Sequence, residues 1–218
     1  MANVALVTGA SSGIGAACAR RLLEAGWQVA VCARRAAPLQ ALAEEFGGRA
    51  RVIAADLTEA AGLERTARAV AEWSPTLQAA IFSAGAFFMA PMTATSSGEF
   101  ERLWRLTVWS RFWLVRELLP LLRDGARPRA LVHIASLAAH RDFPNETAYL
   151  SAMHGLVGLA RAQDAELRDG GIRVSLLSPG TVRTPLTERS FPEAAMAAAL
   201  APVAIAASAL HLIEVIGA

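Results

Sequence analysis

A doubly wound α/β fold around a parallel sheet is what this chain predicts, on three grounds. Apolar runs of about six residues alternate with longer stretches of helical periodicity, the appearance of repeated strand–helix–strand units. Apolar residues make up 54% of the 218 residues, and the runs are unbroken rather than alternating, which suits strands buried on both faces. Gly26, Gly47–Gly48 and Gly170–Gly171 sit just past three predicted helices, where a left-handed C-cap residue is wanted. With no internal repeat, low-complexity tract or linker, the expectation is one domain over residues 1–218.

In order along the chain, the apolar run Val4–Thr8 predicts the first strand and Gly13–Ala25 the helix after it. Strands are expected at Gln28–Ala33 and Ala50–Ala55, with helices at Ala36–Phe46 and Ala60–Trp73. Leu77–Ser83, Ala130–Ala135 and Ile172–Ser178 complete the strands, separated by long helices at Ser97–Arg123 and Ala148–Asp169. Beyond Pro179 the text becomes alanine-rich. Ala194–Leu210 carries no charge, but Pro202 breaks it and it falls short of the roughly 20 apolar residues of a membrane span, so a buried or interfacial helix pair is expected. No room is left for a seventh strand.

Composition excludes several functions. Formal net charge is +2 and the arginines are scattered, which makes no case for a nucleic-acid surface. All 21 basic residues are arginine, so no mechanism can use a lysine amine as nucleophile or proton relay. Cys18 and Cys32 form no disulfide framework and suit a reducing compartment; with no basic flank or leader before Val4, the cytoplasm is expected. No His/Cys/Asp grouping has metal-ligand spacing.

The chemistry starts at Thr8–Gly15, TGASSGIG, which follows the first strand and opens the first helix. Gly9, Gly13 and Gly15 allow a tight turn, close approach of backbone to a pyrophosphate and close helix–sheet packing, while the helix dipole favours the anion. Gly9, Ser11, Ser12, Gly13, Ile14 and Gly15 are therefore candidate cofactor contacts in a Rossmann-type fold. The second strand ends Cys32-Ala33-Arg34-Arg35, with no carboxylate to hold a ribose 2′-hydroxyl. A guanidinium pairs bidentately with a phosphate, so Arg34 and Arg35 favour NADP(H) over NAD(H), the alternative being two solvated arginines opening a helix. Asp56 ends the third strand where adenine would lie, but by itself it reads sooner as a helix-start carboxylate than as a ligand contact.

Taken together, TGASSGIG, the Ala55–Asp56–Leu57 step, Ser136 thirteen residues before Tyr149, and PGTVRT at Pro179–Thr184 resemble the short-chain dehydrogenase/reductase family over about Val4 to Leu186. The resemblance implies that Ser136 and Tyr149 hold a substrate carbonyl, that tyrosine passes the proton and that a nicotinamide passes the hydride. It also implies cofactor contacts at Asp56, Leu57, Ala84, Gly85, Pro179, Gly180, Val182 and Thr184. A phenol and a serine hydroxyl suit that chemistry, because hydride arriving at a carbonyl carbon leaves charge on oxygen.

Three positions depart from the family. Its Tyr-x-x-x-Lys reads Tyr149 to Met153, its Asn-Ala-Gly reads Ser83-Ala84-Gly85, and its helical asparagine aligns with Thr107. Methionine has no charge and no donor, so the tyrosine loses the cation that would lower its pKa and the ribose loses a hydrogen bond; a slow enzyme is expected. The leading expectation is an NADP-dependent oxidoreductase acting on a small, fairly apolar carbonyl or alcohol. Two alternatives stay open: a dinucleotide-binding regulatory or assembly protein without redox activity, and a non-redox acid–base enzyme using Ser136 and Tyr149. His133 and His154 read as packed or solvated residues, and His140, Arg141 and Asp142 as a loop beside the substrate. Trp104, Trp109, Phe112 and Trp113 read as core and subunit contact, consistent with a homodimer through the two long helices, the pairing the resemblance also implies.

Overall fold

The computed structural model describes residues 2–217. The strands are β1 (Val4–Thr8), β2 (Gln28–Ala33), β3 (Ala50–Ala54), β4 (Ala79–Phe82), β5 (Ala130–Ile134) and β6 (Arg173–Leu177), all parallel in one six-stranded sheet ordered β3-β2-β1-β4-β5-β6. The chain winds outward from β1 to β3, then returns to build the other half from β4. Strand order therefore reverses between β1 and β4, and the crevice beyond their carboxyl ends is where such sheets take ligands.

Alternation within the strands is real but masked by composition. Ala5, Val7, Val29, Val31, Ile81 and Val132 face one side, with α1 (Gly13–Glu24), α2 (Ala36–Glu45) and, at the end of the chain, α9 (Pro202–Gly217). Leu6, Cys32, Ile53, Phe82 and Leu131 face the other, against α3 (Ala60–Trp73) and α5 (Ser110–Asp124). Both faces are apolar because both are covered. After α7 (Pro185–Ser190), the alanine-rich segment becomes the short α8 (Glu193–Met196) and α9, whose Ile205, Ala206, Ala209 and Ile213 pack on the α1 side of the sheet. No helix among the described residues is long and apolar enough to cross a membrane.

Several boundaries differ from expectation. The predicted helix Ser97–Arg123 is α4 (Ser97–Trp104), a π turn at Arg105–Trp109, then α5, which runs through Pro120. The predicted strand Leu77–Ser83 contracts to β4, with the buried Gln78 before it turning its Oε1 to accept from the Val4 N–H at 2.7 Å. Gly171 takes the left-handed C-cap conformation at φ 77°, whereas Gly170 ends a 3₁₀ turn, and α6 (Thr147–Leu167) starts one residue earlier than expected. Among the described residues no seventh strand follows β6, which remains partly exposed at the sheet edge.

Candidate active site

At the end of β1 the chain turns through Gly9 at φ 71° and Gly13 at φ 57°, conformations that favour glycine. A Cβ on Gly9 would lie 2.7 Å from the Ala84 backbone nitrogen, and one on Gly13 3.0 Å from the Thr184 methyl. A Cβ on Gly15 would collide with the Gly9 carbonyl. The turn thus closes tightly onto the ends of β4 and of the β6 loop, fixed further by the Ala84 N–H donating to Thr8 Oγ1 at 3.2 Å. This cradle at a helix N-terminus fits a dinucleotide pyrophosphate.

Arg35 reaches back over that turn, its Nη2 donating to Ser11 Oγ at 3.2 Å and Ser12 Oγ at 3.1 Å. Arg34 takes another direction, 3.9 Å from the Asp56 carboxylate and largely exposed. It lines a cleft of about 330 Å³ with Ala54, Ala55, Asp56 and Arg65. Burial pushes the Asp56 carboxyl up, but Thr58, donating from N–H and hydroxyl at 2.9 and 2.8 Å, with Arg34 and Arg102, outweighs it and holds the group below its usual range. Asp56 is thus a cleft wall that also closes a tight turn onto Thr58; the helix start falls instead at Glu59 and Ala60, so the expectation of a helix-start carboxylate is not met. Leu57 and Val182 turn their side chains into the core, leaving only main chain for a ligand, and Ile14 packs against the same core as Val182. Gly85 and Gly180 are exposed.

Across the crevice, β5 delivers Ser136 in extended conformation, its hydroxyl accepting from the Ala138 N–H at 3.2 Å. The next N–H, of Leu137, donates to the Pro179 carbonyl at 2.8 Å, which ties the Pro179–Thr184 segment to the serine loop. Tyr149 lies in the first turn of α6, half-buried. Burial pushes its phenol up; the Ser136 hydroxyl and Arg111 pull it down, and Glu146 pushes it up again. Phe87 meets the phenol ring edge-on at 5.0 Å, and Phe191 lies 5.1 Å from Phe87, so the approach to Tyr149 is aromatic.

Met153 is buried among Ala135, Ala138, Ala139 and Leu156. Thr107 is buried within the π turn, and its hydroxyl has no hydrogen-bond partner among the described residues. Sequence reasoning missed Arg111, four residues on and just 3% exposed, whose Nη1 donates to the Thr107 carbonyl at 2.9 Å. It also missed Glu146, Phe87 and Phe191. His133 is buried, stacked on Phe82, with Nε2 2.9 Å from Gln163 Oε1; burial, then Arg111, push its pKa down to about 3. His154 is exposed, and His140 Nε2 lies 3.0 Å from Ser178 Oγ. Burial raises the Cys18 and Cys32 thiols to about 12 and about 11, so neither is a nucleophile near neutral pH. Trp104 packs on Gly155 of α6, Trp109 and Trp113 pack against the core, and Phe112 is exposed.

A family model described as short chain dehydrogenase matches residues 3–195. The rhamnolipids biosynthesis 3-oxoacyl-[acyl-carrier-protein] reductase of Pseudomonas aeruginosa is 34% identical over 191 residues, 85% of this chain and 75% of that protein. Among solved structures, a 3-ketoacyl-(acyl-carrier-protein) reductase from Brucella melitensis complexed with NADH superposes with a TM-score of 0.88 at 26% identity, over 97% of this chain and 90% of the other. A metagenomic short-chain oxidoreductase in complex with NADP superposes with a TM-score of 0.83 at 31% identity, over the same shares.

Proposed function

We propose, on the premise that the chain belongs to the short chain dehydrogenase family, that it is an NADP-preferring oxidoreductase reducing a small, fairly apolar carbonyl compound. The observation that carries this reading is the facing of two built features across one crevice: the glycine turn at Gly9–Gly15 and the Ser136–Tyr149 pair. A reduced dinucleotide held by the Gly9–Gly15 turn would supply the hydride for the carbonyl carbon. The chain supplies the rest. Ser136 holds the carbonyl oxygen, and Tyr149 gives its phenolic proton to that oxygen as the carbonyl π pair moves onto it. Solvent then reprotonates the phenol. Because burial keeps the phenol protonated, reduction is favoured over alcohol oxidation, which needs the phenolate.

Phe87 against the phenol, with Phe191 packed on Phe87, supports an apolar substrate. Met153 offers the ribose no donor and Thr107 no carboxamide, which supports a slow enzyme. The exposed Phe100 and Phe112, with Trp104, support a homodimer through α4, α5 and α6. Free buried thiols agree with a reducing cytoplasm. The 2′-phosphate falls to Arg35 more than to Arg34, since Arg35 already lies on Ser11 and Ser12 while Arg34 is shared with Asp56. A second reading is favoured by the apolar setting of Met153: a dinucleotide-binding protein without turnover, or one using Ser136 and Tyr149 for non-redox chemistry.

Fluorescence titration with NADPH and NADH, followed by single-turnover absorbance with a panel of carbonyls, tests the proposal. NADPH is expected to bind more tightly, and Arg35→Ala to weaken it by about 10-fold, in line with one charge-assisted hydrogen bond, while leaving NADH nearly unchanged. Equal affinity for the two cofactors sinks the preference; tight binding without hydride transfer to any carbonyl sinks the reductase reading.

A further inference from the structure

Arg111 is a buried cation that no carboxylate neutralises among the described residues. Its hydrogen-bond partners are all backbone carbonyls. Nη1 donates to Thr107, and Nη2 is shared between Phe82 at 3.1 Å, Ala84 at 3.3 Å and Ile134 at 3.0 Å. Phe82 and Ile134 end the neighbouring strands β4 and β5, and Ser136 follows two residues after Ile134. The guanidinium is therefore clamped to the carboxyl ends of β4 and β5, two residues before Ser136, and lies within electrostatic reach of Tyr149.

Burying an unpaired cation costs several kcal/mol, and carbonyl dipoles offset only part of that. In an otherwise apolar helix row with Leu114 and Leu118, such a charge calls for an anion, permanent or transient, within reach. Of the groups around it, His133 is neutral and repelled by it. Glu146 faces the phenol from the start of α6, and Tyr149 is the group whose negative form Arg111 favours.

We propose that Arg111 is the cation that supports proton transfer from Tyr149 in this chain, the electrostatic role for which the family uses the lysine that Met153 replaces. Arg111 is a positioning residue: it acts on the phenol and on the charge developing at the phenol oxygen, and does not itself touch the substrate. With its nitrogens committed to carbonyls it cannot also hold the ribose, so it takes up one of the lysine's two tasks. The inference rests on the reductase reading only for its effect on turnover.

Tyr149 is the only tyrosine of the chain, so ultraviolet titration of the phenolate reports this site alone and needs no activity. In Arg111→Met, folded by circular dichroism, the phenol is expected to titrate about one unit or more higher than in the parent. Carbonyl reduction should fall by about 10-fold, and Met153→Lys added to that variant should recover both. An unchanged phenol pKa in folded Arg111→Met overturns the inference.

Should Arg111→Met not fold, Met153→Lys alone decides. An amine beside a buried guanidinium is driven toward its neutral form, so the phenol should drop by less than about one unit. A drop of about one unit or more would mean that the phenol had lacked a cation, and the inference would fall. If the phenol responds as expected while no carbonyl is reduced by the parent, the reductase reading fails and Arg111 keeps its role toward Tyr149.

Discussion

The two walls of the crevice are built by different rules. At Gly9–Gly15 the shape is made by backbone: glycines at positive φ, a Cβ-free approach to Ala84, and Thr184 against Gly13. At Ser136–Tyr149 it is made by side chains, and Met153, Thr107 and Arg111, on the helices that carry this wall, are all buried. A backbone site tolerates little change, because a Cβ on Gly9 or Gly15 meets main chain that cannot yield. A site made of side chains can exchange one charge for another drawn from a different helix and keep its geometry. The first wall is shaped for a dinucleotide, and the chemistry is left to the second.

Breaking the backbone wall should have the largest effect. Gly9→Ala places a Cβ against Ala84 at a φ of 71°, so the turn must open; dinucleotide affinity should fall by 100-fold or more, about 3 kcal/mol, as measured by calorimetry. A loss below about threefold would show that the turn is looser than its contacts indicate. On the opposite wall, Tyr149→Phe removes one hydroxyl and leaves the ring against Phe87. Single-turnover reduction should drop by about 100-fold, the usual scale of a general acid, with dinucleotide affinity nearly unchanged. An equal loss of affinity and rate would erase the division between the walls.

The same division explains what the sequence made legible. Turn glycines declare themselves because each stands between a strand and a helix, and β1, β2 and α3 fall at their expected bounds because the apolar pattern starts and stops sharply there. Arg111 was hidden for the opposite reason. One arginine among 21 reads as solvated, and the π turn at Arg105–Trp109 inserts a residue that no propensity marks. The signal available was its phase: it continues the row of Leu114, Leu118 and Leu122, all buried in α5. Glu146 and Phe87 come to Tyr149, and Phe191 to Phe87, from loops and helix ends, where periodicity carries no information.

A smaller effect should separate the walls by pH. The side-chain wall contains the buried titratable groups Arg111, His133 and Glu146, whereas the turn contains none. His133, held down to about 3 by burial and by Arg111, stays neutral in the folded protein and takes a proton near 6.5 once unfolded. Between those values the unfolded chain binds more protons, so stability rises with pH there and is lost as pH falls from 6.5. Chemical denaturation should show about 2 kcal/mol less stability at pH 5 than at pH 7.5, by linkage from a single group. Asp56, Glu99 and Asp164 are held below their usual range and lose their contributions only at lower pH, while the raised Glu146 opposes the histidine weakly near its own range. His133→Leu costs stability at pH 7.5, because Gln163 loses its partner, but should flatten the slope between pH 7.5 and 5. A slope that survives in that variant would place the acid sensitivity outside β5 and remove the argument that the side-chain wall is the one that titrates.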